Sequence, residues 1–132
     1  MKSTLLIICL FAILACSSSD NEVEENTCFP SQGISIGLSV KVFNADTGEF
    51  IEEGITVKAI NSTRTITLQL ATDNLLQEKN YIGVYLNQEG TYRVSIIDSE
   101  YEIYNSDPIT ILKTEDGCGL ITEHLEVNLQ PN

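Results

Sequence analysis

From Gly33 onward the chain is apolar at every second position, and that period restricts it to strands. Ile34, Ile36, Leu38, Val40 and Val42 alternate with Ser35, Gly37, Ser39, Lys41 and Phe43. An extended backbone gathers all five aliphatic residues on one face, whereas a helix would scatter them. The alternation returns at Ile55, Val57 and Ala59, at Ile66, Leu68 and Leu70, over residues 81–86, and at Tyr92, Val94 and Ile96. Shorter runs follow at 101–104 and at Ile109 and Ile111, and in the last run Glu123, Leu125, Val127 and Leu129 share one face. Turn formers separate the runs: Asn44-Ala45-Asp46-Thr47-Gly48, Asn61-Ser62, Asn87-Gln88-Glu89-Gly90 as a hairpin signal, and Glu115-Asp116-Gly117. Pro108 marks an edge or a strand start, and residues 75–80 fit neither pattern. About seven short strands at intervals of about ten residues, with no amphipathic helix, predict an all-β fold, a single antiparallel β-sandwich.

A different pattern precedes the strands. Lys2, an apolar run over residues 5–14 and the small Ala15 before Cys16 follow the three-part layout of a secretory signal. The run is too short for a membrane span, which needs about 20 apolar residues, and polarity begins at once with Ser17-Ser18-Ser19-Asp20. Ile13-Leu14-Ala15-Cys16 resembles the lipobox of bacterial lipoproteins, in which the cysteine thiol receives a diacylglyceryl group before cleavage. The resemblance implies a lipoprotein signal peptide over 1–15, lipidation at Cys16 and a membrane as partner through the N-terminal lipid. Several acyl chains on one residue give lasting anchorage where a single chain binds only marginally. Residues 17–27 hold one apolar residue, Val23. Burial cannot offset their ordering entropy, so 16–27 is expected to be a flexible acidic tether and 28–132 the β-domain. Serine followed by acids behind the lipidated cysteine also resembles the export signal of Bacteroidota lipoproteins. That points to the bacterial envelope, at the outer membrane, on its periplasmic or surface face.

The cysteine count sharpens in consequence. Cys9 leaves with the leader and Cys16 becomes a thioether, so Cys28 and Cys118 are the only pair left in an exported chain, and a disulfide between them is expected. No C-x-x-C spacing or histidine cluster supports zinc, and no metal or cofactor is expected. The formal net charge is −12 over 132 residues, with 19 acidic side chains against seven basic ones, Lys2 among them. Such a surface repels nucleic acid and anionic lipid headgroups and keeps the protein soluble.

Little in the sequence points to catalysis, and no catalytic residue is assigned. The single histidine, His124, falls on the polar face of the last strand beside Glu126, as expected of a solvent-exposed imidazole. Asn44, Asp46 and Gly48 open like a calcium loop, but no bidentate glutamate follows at the required distance, and a hairpin turn is the simpler outcome. Asn61-Ser62-Thr63 matches a glycosylation sequon that has no use behind a bacterial lipobox. Tyr81, Tyr85, Tyr92, Tyr101 and Tyr104 are candidates for stacking on sugar or peptide, against the alternative that they are strand residues with the hydroxyl at the rim.

Several segments taken together resemble the carboxypeptidase regulatory-like domain, with a prealbumin-like (transthyretin-like) fold, in its stand-alone lipoprotein form from Bacteroidota. Asn44-Ala45-Asp46-Thr47-Gly48-Glu49-Phe50-Ile51 is similar to the family's D-x-x-T-G-x-P-I turn, with Phe50 in place of proline. Glu53-Gly54-Ile55-Thr56-Val57 is similar to the x-G-A-x-V strand, and Glu89-Gly90-Thr91-Tyr92-Arg93-Val94 to the G-T-Y-x-V hairpin. Glu100-Tyr101 stands where a G-Y pair is usual. Cys118-Gly119-Leu120-Ile121-Thr122 resembles C-H-V-x-T, with Gly119 in place of the histidine, and Leu129-Gln130-Pro131 resembles the closing Leu-x-Pro. The resemblance covers about residues 28–131 and implies a non-catalytic sandwich, prealbumin-like or Ig-like, with no peptidase zinc motif to carry over. The expected role is a non-enzymatic binding or interaction module for an envelope protein or a glycan. The alternatives are a carbohydrate-binding module of starch-binding-like type and, more remotely, a small hydrolase built on two carboxylates.

Overall fold

The computed structural model describes Cys28, residues 33–73 and residues 77–132. The leader 1–15, Cys16, the tether up to residue 27 and residues 75 and 76 of the ambiguous stretch lie outside the described residues. The described chain is all-β. In chain order the strands are β1 (Ile36–Asn44), β2 (Val57–Ile60), β3 (Thr65–Thr67), β4 (Gln69–Asp73), β5 (Glu78–Tyr85), β6 (Gly90–Ile96), β7 (Tyr104–Asn105), β8 (Ile109–Ile111) and β9 (Glu123–Leu129). They form two sheets, the first in the order β4-β5-β1-β9 and the second in the order β3-β2-β6-β7, with β8 also paired to β6.

Alternation selects the core. Leu38, Val40 and Val42 of β1 are fully buried, and Val127 and Leu129 of β9 join them. From the second sheet, Val57, Ala59, Tyr92, Val94, Ile96 and Ile111 turn inward, and the buried side chains of both sheets form one apolar cluster. Each fully buried aliphatic or aromatic side chain contributes about 1.5–3 kcal/mol. Glu123, placed by period on the face of Leu125, is exposed at the end of its strand.

Four expectations need correction. Nine strands are present among the described residues, against about seven expected, and one run supplies two of them. The run Ile66, Leu68, Leu70 is shared between sheets: Leu68 is buried and donates its N–H to the Val57 carbonyl at 2.9 Å, and Gln69 then pairs with Ile82 in the other sheet. The short runs at 101–104 and at Ile109 and Ile111 give the separate strands β7 and β8 on either side of Pro108, which has no N–H for a ladder. The fold is not purely antiparallel either, since β9 runs parallel to β1. No tight turn joins those two strands, so nothing local fixes their relative direction. The turn Asn87-Gln88-Glu89-Gly90 forms, with Asn87 at φ 68°, but it carries the chain from one sheet to the other instead of closing a hairpin. Finally, Ile34 is 82% exposed and Ile36 half-buried, so the inward row of β1 begins only at Gly37.

Gly37 explains that last departure. A Cβ at this position would lie 2.5 Å from Ile111 Cγ2, 3.0 Å from Leu120 Cδ1 and 3.1 Å from the Val84 carbonyl oxygen. Gly37 and Leu38 are consecutive yet both face the interior, and Ile36 is displaced outward. On the adjacent strand Val84 has φ 59°, a left-handed conformation that costs a β-branched residue about 1–3 kcal/mol and that its complete burial holds in place. Gly37→Ala is expected to destabilise the protein by about 1–3 kcal/mol through overpacking. Urea denaturation checks this, and an unchanged midpoint would show that the site relaxes freely.

Candidate functional site

The register of β2 and β6 decides which side chains share the outer face of the second sheet. Lys58 stands opposite Ser95 and Ile60 opposite Arg93, while on the other side of β2 the same two residues face Thr67 and Thr65. Cross-strand partners point the same way. With Val57, Ala59, Val94 and Ile96 turned into the core, these positions make a face of hydroxyl and cationic groups around one isoleucine. A cleft of 460 Å³ lies on it, floored by Ile60, Thr91, Arg93 and Ser95 and bounded by Asn61 and Ser62 on one side and Asn105 and Pro108 on the other.

Local chemistry builds both walls. The Asn61 side-chain oxygen accepts the N–H groups of Thr63 at 2.9 Å and Arg64 at 2.8 Å, and the Asn61 N–H donates to the Arg64 carbonyl at 3.0 Å. This asparagine-closed turn is the one expected at Asn61-Ser62. The far wall is the break between β7 and β8. There buried Ser106 substitutes for a missing ladder partner: its hydroxyl accepts the Val94 N–H at 2.8 Å and donates to the Asp107 carbonyl at 2.7 Å. The Ser106 carbonyl in turn accepts a hydrogen bond from Arg93 Nη1 at 2.9 Å. That bond fixes the guanidinium at the cleft while using one of its five N–H donors.

Charge distinguishes this face from the rest of the surface. Lys41, Lys79 and Lys113 are ion-paired with Glu78, Glu52 and Glu89. Among the described residues Lys58, Arg64 and Arg93 have no carboxylate within 4.0 Å, and all three belong to β2, the turn that follows it, or β6. Among the described residues no carboxylate lines the cleft. Arg64 stands toward the turn before β6. A backbone N–H and then Lys113 hold the Glu89 carboxyl below its usual range there, and Arg64 adds to the effect. Among the described residues, a chain of net charge −12 thus keeps its cations without a carboxylate partner on β2, β6 and the turn after β2.

The residues singled out from sequence fall elsewhere. The sulfurs of Cys28 and Cys118 are bonded, with Cα atoms 5.3 Å apart across a sequence separation of 90 residues, so the pair selected by elimination is the pair at disulfide distance. The loop that presents Cys118 is closed by Asp116, whose carboxylate accepts the Thr114 hydroxyl and the Cys118 N–H, and Gly117 turns it at φ 70°. Four of the five tyrosines are not available as a stacking surface. Tyr81 and Tyr92 are core residues whose hydroxyls donate to the carbonyls of Ile51 and Gln88, burial raises both phenols, and Tyr101 and Tyr104 pack against the same cluster. Asn44 spends its side-chain oxygen on the N–H groups of Asp46 and Thr47, which makes its segment a turn. Among the described residues no three His, Cys, Asp or Glu side chains converge to hold a metal ion.

His124 is exposed on the outer face of the first sheet, opposite Ser39, with Glu126 opposite Lys41. Two adjoining depressions of 340 and 250 Å³ share Ser39, Asn80 and His124. Among the described residues no hydroxyl or carboxylate is hydrogen-bonded to the imidazole, so the groups are neighbours on a sheet without being an oriented set. Among the described residues no helix is long and apolar enough to cross a membrane.

In comparison with known proteins, the chain matches no family model and no curated protein. The cleft therefore rests on its own geometry. Lys58, Arg93, Ser95 and Ser106 were not singled out by sequence. The outward parity of Lys58 and Arg93 was visible in their runs, but the β2–β6 pairing that brings them together was not.

Two outcomes test these arrangements. Cys118→Ala is expected to lower the unfolding free energy by about 2–5 kcal/mol, since a bridge closing so long a loop restricts the unfolded chain; a denaturation midpoint equal to that of the parent would refute the staple. Asp116 has its carboxyl lowered by the Thr114 hydroxyl and then by the Cys118 N–H. Its contribution is complete above the ordinary aspartate value and is lost as pH falls through the lower folded value. Asp116→Asn should therefore flatten the acid limb of stability against pH, measured by thermal melts, without changing stability trends above neutrality.

Proposed function

We propose that this protein is a lipid-anchored component of a bacterial envelope, held at the outer membrane through Cys16, and that it works as a non-enzymatic binding module. In this proposal the domain is a β-sandwich akin to the carboxypeptidase regulatory-like domain. All its strand pairings except β1 with β9 are antiparallel. Three features support the fold assignment: a single apolar cluster fed by both sheets, the tight turn at Asn44-Ala45-Asp46-Thr47-Gly48, and the Cys28–Cys118 bridge ahead of the last strand.

The observation that carries the functional proposal is the cleft on the outer face of the second sheet. It combines a strand floor and a fixed guanidinium with hydroxyl and amide walls, the combination of a few well-placed polar groups on a concave surface that marks ligand sites. Such a face recognises and holds. The carbohydrate alternative survives only in altered form, because the tyrosines on which stacking would depend are largely taken up by the core, whereas the hydroxyl-lined cleft remains open to a sugar.

Metabolic labelling with an alkyne fatty acid tests the anchor. The parent chain should be tagged and Cys16→Ala should not; label retained in Cys16→Ala would place the lipid elsewhere or dismiss it.

A further inference from the structure

We propose that the cleft between the Asn61 turn and the Pro108 break binds an acidic saccharide, with a uronate carboxylate on Arg93 and Lys58 and the sugar hydroxyls on the surrounding side chains. The inference rests on the binding-module proposal and names its ligand.

Charge complementarity carries it. Arg93 lines the cleft and Lys58 stands beside it, opposite the lining residue Ser95; the two lie on adjacent strands, facing the same way, two register pairs apart. Among the described residues neither has a carboxylate partner and no acid lines the cleft. Leaving two such cations unpaired in a chain with 19 acidic side chains creates a site whose missing component is an anion. The planar fork of Arg93 matches a carboxylate in two parallel hydrogen bonds, and its bond to the Ser106 carbonyl orders it before any ligand arrives. Preorganisation of this kind reduces the entropy cost of binding.

The remaining lining argues for a sugar over other anions. Ser95, Ser62 and Asn105 supply donors and acceptors in both senses, beside the Thr91 hydroxyl that is shared with Thr110, which suits a polyhydroxylated ring. A volume of 460 Å³ lies in the range of about 300–1,000 Å³ usual for small-molecule sites. The only ring in the lining, Tyr92, is buried with 1% exposure, so no aromatic platform is offered to stack a nucleobase. An acidic peptide would more readily use an exposed sheet edge for main-chain pairing, and this cleft lies on a sheet face.

The test uses the full chain in detergent micelles and three probes: trigalacturonate, the same trimer fully methyl-esterified, and triglutamate. Affinities are measured by calorimetry at low and physiological salt. Trigalacturonate should bind, more weakly as salt rises, and at least tenfold more tightly than its neutral ester. Lys58→Gln and Arg93→Gln should each weaken it about tenfold or more, as expected for loss of a hydrogen bond to a charged group. The Lys58 side chain is exposed and has no ion-pair partner among the described residues, so its variant remains informative if Arg93→Gln disturbs the β7–β8 break. Equal binding of acid and ester, absence of trigalacturonate binding to folded protein, or tighter binding of triglutamate would each overturn the proposal. Because Cys16 labelling is scored independently, failure here removes the ligand and leaves the anchor standing or falling by itself.

Discussion

Every described strand except β4 gives residues to a common apolar core, and the rest of the described molecule is arranged within that constraint. β1 carries it furthest, with Leu38, Val40 and Val42 sealed between β5 and β9. Once those side chains are committed, the opposite parity of each strand is free of packing demands, and polar or charged residues collect there at little cost to stability. The outer face of β2 and β6 is a product of this division. The same demand consumes residues that look functional in isolation: the Tyr81 ring stacks with Phe50 at 6.0 Å between centroids, and its hydroxyl donates a hydrogen bond to the Ile51 carbonyl, leaving nothing for a ligand.

How much of this was legible depends on the range over which each feature is determined. Period two announced the strands, and Gly48, Asn61 and Gly117 announced turns, because both signals are local. Pairing is not local. Nothing in the run from Glu123 to Leu129 distinguishes a strand parallel to β1 from one antiparallel to it, since alternation has no direction. Leu68 continues its run without a break in pattern, yet it is where the chain changes sheets, and the cause is its own burial and its bond to Val57. Val84 defeats inspection altogether: a β-branched residue in left-handed conformation is held there by contacts from distant residues.

The disulfide joins the beginning of the domain to its end under the same logic. Cys28 precedes the first strand and Cys118 precedes the last, and β1 and β9 are neighbours in one sheet. A bridge between the approaches to two adjacent strands reinforces a contact the sheet already makes. Its effect therefore lies mainly in the unfolded chain, whose ends it keeps together. Ser35 and Thr122 act at the same junction in the folded state, with the Ser35 hydroxyl accepting the Leu120 N–H at 2.6 Å and the Thr122 hydroxyl donating to the Ile36 carbonyl at 2.7 Å.

The strongly negative charge stands at first sight against the proposed anionic ligand, and range resolves the conflict. At physiological ionic strength the Debye length is about 8 Å, so carboxylates beyond that distance impose little on a group seated against Arg93. A carboxylate in contact with a guanidinium gains charge-assisted hydrogen bonds that salt weakens without abolishing. The long-range field then opposes approach and slows association with every anion, while the local site retains the anion whose shape and hydroxyls fit. Selectivity in such an arrangement comes from the contrast between the two ranges: a polyanion too large for the cleft meets the repulsive surface over most of its length, whereas a short acidic sugar meets only the cationic face.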